Sequence, residues 1–275
     1  MNPDWLELRR GTAPLIVSIP HTGLDLRGLE PRLASDWLAR KDADWHIERL
    51  YDFASSLDAT ILRTHVSRTV IDVNRDPSGI SLYPGQTTTS LCPTTSFDGE
   101  PLYKDGEAPD EKEIAERRRL YFDPYHQALG EAIGRLKALH GVVTIYDCHS
   151  IRSAIPRLFD RELPMFNLGT NSGASANAAL IDRVREILVK SSQSYVVDGR
   201  FKGGFITRSL GRPVEEVHAL QMELACRAYI DEPIGPVDQT NWPVGYDPGY
   251  AAPVRKTLED ILTAALEWTR HSGRP

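Results

Sequence analysis

Cysteine is scarce in this chain of 275 residues. Cys92, Cys148 and Cys226 stand alone, with no CxxC pair, and three thiols close no disulfide framework. A disulfide-stapled scaffold is therefore excluded, and a reducing cytoplasm is the expected compartment. Positive charge is not in excess either. A net charge of −6 argues against a nucleic-acid binder, which carries a basic face. No apolar run approaches membrane-spanning length, and the N-terminus lacks the basic-then-apolar pattern of a signal. Repeats of fixed period and low-complexity blocks are missing too.

What remains is the composition of a folded protein, 41% hydrophobic and 25% charged. Strand-like runs at 15–19, 60–63, 69–73, 142–147, 164–168 and 194–197 alternate with helical patterns at 42–57, 111–139, 176–191 and 258–271. Pro124 is expected to break or kink the second of these helices. Such alternation predicts an α/β fold, a three-layer α/β/α arrangement with a central mixed, mostly parallel sheet. One domain over residues 1–275 is expected. The stretch 77–109 is rich in Thr, Ser, Gly and Pro and has no periodicity, so it reads as a substrate-covering loop.

Two apolar runs end on histidine. VVTIY leads into Asp147-Cys148-His149-Ser150, and LIVSI leads into Pro20-His21-Thr22-Gly23. Open α/β sheets place their ligands outside the carboxyl ends of the strands, so His21 and His149 can meet there. A zinc site needs two or three such nitrogens and a carboxylate, with a position left for water. Asp42 and Asp44 offer that carboxylate, although acids at a helix start also serve to offset its dipole. The segment SRTVIDVNR supplies Arg68, Asn74 and Arg75, a set suited to an acidic small molecule. Ion pairs with Asp72 or Asp76 are the plainer use of those arginines. Glu223 lies inside the apolar run LQMELA. If buried it must be paired or functional, with a pKa raised toward that of a general base; a solvent-facing helix acid is the plainer alternative.

Taken in order, SIPHTG, DADWHIERLY, SRTVIDVNR, SLYPGQTTTSLCPTTSFDGEPLY, YDCHS, KGGFITRSLG and QMEL resemble the N-formylglutamate amidohydrolase family over residues 15–230. That family is similar in fold to zinc-dependent exopeptidases of the carboxypeptidase type. The resemblance implies Zn2+, or another divalent metal, held by His21 and His149. The related zinc enzymes take a third ligand from a glutamate three residues after the first histidine, where this chain has Leu24. The resemblance then turns to the DADW acids, with Asp44 favoured as the ligand and Asp42 close behind it. It makes Asp147 the partner that orients His149, and Glu223 the general base. Arg68, Asn74, Arg75 and Arg208 become substrate-binding residues, with Gly203 and Gly204 in the pocket wall. The implied reaction is hydrolysis of N-formyl-L-glutamate to L-glutamate and formate, a step of histidine degradation, in a monomer or small homo-oligomer. Alternatives are a metal-dependent deacylase for another acidic N-acyl amino acid, a cysteine hydrolase built on Cys148, and a non-catalytic binding protein for acidic amino acids.

Overall fold

The runs Leu15–Ile19 and Val143–Ile151 are buried at every position, as strands covered on both faces must be. The computed structural model describes residues 3–80, 85 and 88–273. Its strands are β1 (Leu6–Arg9), β2 (Leu15–Ile19), β3 (Thr60–Thr64), β4 (Val143–Ile151), β5 (Phe166–Gly169), β6 (Tyr195–Val197) and β7 (Val217–Ala225). They form one seven-stranded sheet in the order β1-β3-β2-β4-β7-β5-β6. The centre, β3-β2-β4-β7, is parallel, while β1 and β5 join it antiparallel.

The helices are α1 (Asp36–Arg40), α2 (Ile47–Leu50), α3 (Glu111–Arg117), α4 (Asp123–His140), α5 (Ala178–Lys190), α6 (Phe205–Leu210) and α7 (Pro248–Ser272). Strand side chains alternate between faces, and two cores follow from that. Val17, Tyr146, Cys148, Leu220 and Met222 pack with α2, α5 and α7 on one face. Ile16, Ile145 and Ala219 pack with α4 and Ile206 of α6 on the other. The mixed, mostly parallel sheet between helical layers is the expected architecture. Among the described residues no helix is long and apolar enough to cross a membrane.

Several expected boundaries differ. The run 69–73 is not a strand but a turn: Asp72 Oδ1 accepts the Asn74 N–H at 2.9 Å, which replaces a ladder bond. β4 does not stop at Asp147 but continues to Ile151, so its polar residues lie within the sheet. The acid Glu223 belongs to a strand rather than a helix. The 42–57 pattern contains only α2 and a 3₁₀ stretch, because His46 takes a left-handed backbone (φ 64°) just before α2. A π-helical turn, Arg118–Phe122, divides the 111–139 pattern, and Pro124 sits in the first turn of α4. The final helix begins ten residues earlier than expected, at Pro248. Within 77–109, residues 81–84 and 86–87 lie outside the described residues. From Leu91 to Tyr103 the stretch packs down, burying Leu91, Cys92, Phe97, Leu102 and Tyr103.

Candidate metal centre

Pro20 has no N–H to give the ladder, so β2 ends there and His21 is set just beyond its carboxyl end. His149 stands two residues past Asp147 on the same face of β4. Parallel pairing puts Glu223 of β7 directly opposite His149 and Gln221 opposite Asp147. Asp44 arrives from the loop before α2. Its own N–H donates to His21 O at 3.0 Å, and its Oδ2 accepts the Ser150 N–H at 3.1 Å. Asp44, His21 and His149 are all buried, and one ligand atom from each lies within 4.8 Å of the others.

The two imidazoles share one orientation. His149 Nε2 is 2.8 Å from Asp147 Oδ2, and His21 Nε2 is 2.7 Å from Asp72 Oδ1. A carboxylate only accepts, so each Nε2 carries a proton, and in the neutral ring each Nδ1 is left with its lone pair. The two Nδ1 atoms face each other at 3.1 Å, with Asp44 Oδ2 at 3.3 Å from one and 3.7 Å from the other. Lone pairs this close repel unless a proton or a cation lies between them. Asp44 Oδ1, also buried, accepts no hydrogen bond. Histidine nitrogens backed by carboxylates, with a third acidic oxygen, form a donor set that suits a divalent metal.

Charge points the same way. Asp44, Asp72, Asp147 and Glu223 place four buried carboxyl groups here, and Arg68 and Arg75 pair with this group. Two guanidinium groups leave a deficit that one dication makes up. In the protein alone, burial lifts Glu223 to about 7, helped by Asp44 and Asp147 and opposed by His149 and Arg68. Burial would lower His149, yet Asp147 and Asp44 hold it well above its ordinary range. Asp72 shows the reverse balance. Burial raises it, but His21, Arg68 and Arg75 bring it well below the usual carboxylate range.

A cleft of about 600 Å³, open to solvent, lies over this centre. Its lining mixes the polar Arg68, Asn74, Arg75 and Arg200 with the apolar Phe97, Ile151, Leu158 and Phe201. Asn74 Nδ2 donates to Asp147 Oδ2 at 3.1 Å, and its Oδ1 accepts the Ile206 N–H at 2.8 Å. Arg75 Nε donates to Thr89 Oγ1 at 3.2 Å beside the cleft. The fold thus gathers His21, Asp44, His149, Asp147, Glu223, Arg68, Asn74 and Arg75. It leaves two others apart. Arg208 is absent from the cleft lining, and its Nε donates to Gly203 O at 2.7 Å. Asp42 accepts the Phe97 N–H at 2.6 Å and pairs with Arg152, away from the histidines.

Gln221, Phe97 and Arg200 were not singled out from the sequence, and Asp72 was named only as an ion-pair partner of the arginines, a role it has here beside its bond to His21. Asp72 had a legible signal, a lone acid in the apolar run TVIDV. Arg200 had none. Cys148 faces the opposite core, where burial raises its thiol well above the usual range, so it cannot reach the cleft as a nucleophile.

Comparison with known proteins gives a consistent picture. Residues 13–230 match the N-formylglutamate amidohydrolase family. The N-formylglutamate deformylase of Pseudomonas aeruginosa is 43% identical over 269 residues, covering 97% of this chain and 98% of that protein. The Pseudomonas putida N-formylglutamate deformylase is 41% identical over 265 residues, covering 96% of each. The crystal structure of N-formylglutamate amidohydrolase from Ralstonia eutropha JMP134 shares the fold, with a TM-score of 0.76 at 21% identity over 97% of this chain and 98% of that one.

Proposed function

The chain belongs to the N-formylglutamate amidohydrolase family, and from that premise we propose that it is a zinc-dependent N-formylglutamate deformylase, hydrolysing N-formyl-L-glutamate to L-glutamate and formate. The observation that carries the metal-dependent chemistry is the meeting of His21 Nδ1, His149 Nδ1 and Asp44 beside Glu223, under a cleft lined in part by arginines. His21, His149 and Asp44 would hold the ion, which would supply Lewis acidity toward water and the formyl carbonyl.

The protein's own groups do the rest. Glu223 takes a proton from the attacking water and returns it to the leaving nitrogen, a task for which a carboxyl near neutrality is suited. Asp72 and Asp147 fix the imidazole rings with Nδ1 directed inward. Arg75 lies on the cleft wall with its side chain 21% exposed, and it is the group assigned to a substrate carboxylate. Asn74 ties the Asp147 carboxylate to α6. Residues 1–275 work in this reading as one catalytic domain, with Thr88, Thr89 and Phe97 of the 77–109 stretch lining the substrate cleft.

The test is formate release from N-formyl-L-glutamate, set beside N-acetyl- and N-succinyl-L-glutamate. Release should stop on chelation and return with Zn2+. Turnover indifferent to chelators would overturn the metal assignment. A preference for the acetyl or succinyl compound would overturn the substrate, in favour of a deacylase for another acidic N-acyl amino acid.

A further inference from the structure

The short turn 96–100 is held more firmly than its place on a loop requires. Ser96 N donates to Glu100 O at 2.9 Å and Gly99 N to Ser96 O at 3.0 Å, closing the turn on itself. Lys41, only 3% exposed, then grips it from outside, with Nζ 2.6 Å from both Asp98 Oδ2 and Glu100 Oε2. Arg152 reaches the same Asp98 oxygen at 2.5 Å, and Asp42 takes the Phe97 N–H at 2.6 Å. Lys41 and Asp42 belong to the segment that carries Asp44.

These contacts fix one side chain, Phe97. Its ring is 6% exposed and lies over the Arg68 guanidinium, 4.8 Å from Arg68 Cζ to the ring centroid. Arg68 in turn spans the centre: Nη2 is 2.7 Å from Asp72 Oδ2, and Nη1 is 3.5 Å from Asp44 Oδ1. Asp72 orients His21, and Asp44 is the acidic member of the donor set. An aromatic face attracts a cation without competing for its N–H donors, so the fork stays available to both carboxylates.

We propose that Phe97 is a positioning residue of the metal centre, seating the Arg68 guanidinium so that it holds Asp44 toward the two histidines and Asp72 against His21. This rests on the reading that His21, Asp44 and His149 bind a divalent cation. It also separates Arg68 from substrate recognition, because its fork is engaged by the centre itself.

A double-variant cycle read as Zn2+ affinity, by competition with a chromophoric chelator, tests this without substrate. Phe97→Leu keeps an apolar side chain but removes the π face, and should weaken zinc about 10-fold, within the usual range for residues that orient metal ligands. Phe97→Tyr keeps the face and should bind zinc within about twofold of the parent, the spread expected for contacts that are only slightly altered. In an Arg68→Gln background, Phe97→Leu should add no further loss, because the cation it seats is gone. Asp98→Asn, which loosens the turn without touching the core, should weaken zinc in the same direction. Additive losses from Phe97 and Arg68, or an unchanged affinity in Phe97→Leu, would overturn the proposal. Failure of the parent protein to bind zinc would instead overturn the metal reading beneath it, while zinc binding without formate release would overturn only the substrate.

Discussion

Glu223 illustrates how position changes a side chain's chemistry. On a solvated helix it would be an ordinary acid; on β7, opposite His149 and beside Gln221, burial lifts it to about 7. Glu223→Gln keeps the shape and removes the proton acceptor. Turnover should fall by roughly 10²–10⁴-fold while bound metal, measured by elemental analysis, stays at the parent level. Near-normal turnover would leave Glu223 with a structural role alone. Asp42 and Asp44 make the same point two residues apart, since both were candidates for one place in the sequence and the chain directs them differently. Asp44 faces the two Nδ1 atoms, whereas Asp42 caps the Phe97 N–H. Asp44→Asn replaces a charged ligand with a weak neutral one, so it should lose most of the bound zinc. Asp42→Asn should reduce affinity far less, acting only through the Phe97 turn. Equal losses in equilibrium dialysis would contradict that division.

At the scale of elements, the repeating patterns were the legible part. β2, β3, β5 and β6 fall within two residues of the apolar runs that announced them, and α5 within two of its amphipathic stripe. What was not legible is where polar residues are buried together. The run 69–73 gives a turn because Asp72 Oδ1 accepts the Asn74 N–H, and the adjacent Asn74 and Arg75 then both line the cleft, which a strand's two-sided pleat does not allow. β4 and β7 were cut short or missed for a related reason. Their acids and histidine look like strand-ending residues until a partner strand places matching groups beside them. Gly204, at the start of α6, shows how tightly these elements meet. A Cβ there would lie 2.4 Å from Asn74 Nδ2. Asn74 cannot swing clear without breaking its bonds to Asp147 and to the Ile206 N–H. Gly204→Ala is therefore expected to lower kcat by about 10–100-fold, as the loss of a group orienting a metal ligand does. Its far-UV spectrum should be unchanged, because Gly204 has φ −85°, a backbone open to alanine. Parent-level kcat in this variant would show that Asn74 does not position the His149 partner.

Over the whole molecule, the centre is a buried excess of acid that the fold supports only in the right protonation or metal state. Without metal, Glu223 and His149 both bind protons more tightly folded than unfolded. Glu223 then contributes stability at low pH that is lost as pH rises from its ordinary 4.5 through about 7, and His149 contributes stability that is lost above its ordinary 6.5. Asp72, held low, works in the opposite sense, and its contribution is lost only as pH falls below its ordinary 3.8. The metal-free protein should therefore lose stability between pH 5 and pH 8, whereas a dication relieves the same carboxylates and replaces the proton at the histidines. Metal binding also releases protons, so its stabilising effect should grow with pH. With free zinc at about 100 times its Kd at pH 8, the gain is about 2.7 kcal/mol. For a chain of this size each kcal/mol moves Tm by about 2–4 °C, so loading at pH 8 should raise Tm on the order of 5–10 °C. At pH 5 and the same zinc concentration, the rise should be small. Calorimetry of metal-free and zinc-loaded protein at the two pH values gives the comparison, in which groups outside the centre cancel. An equal rise at both would mean that zinc binds without displacing protons, and that the ion sits somewhere other than between His21 and His149.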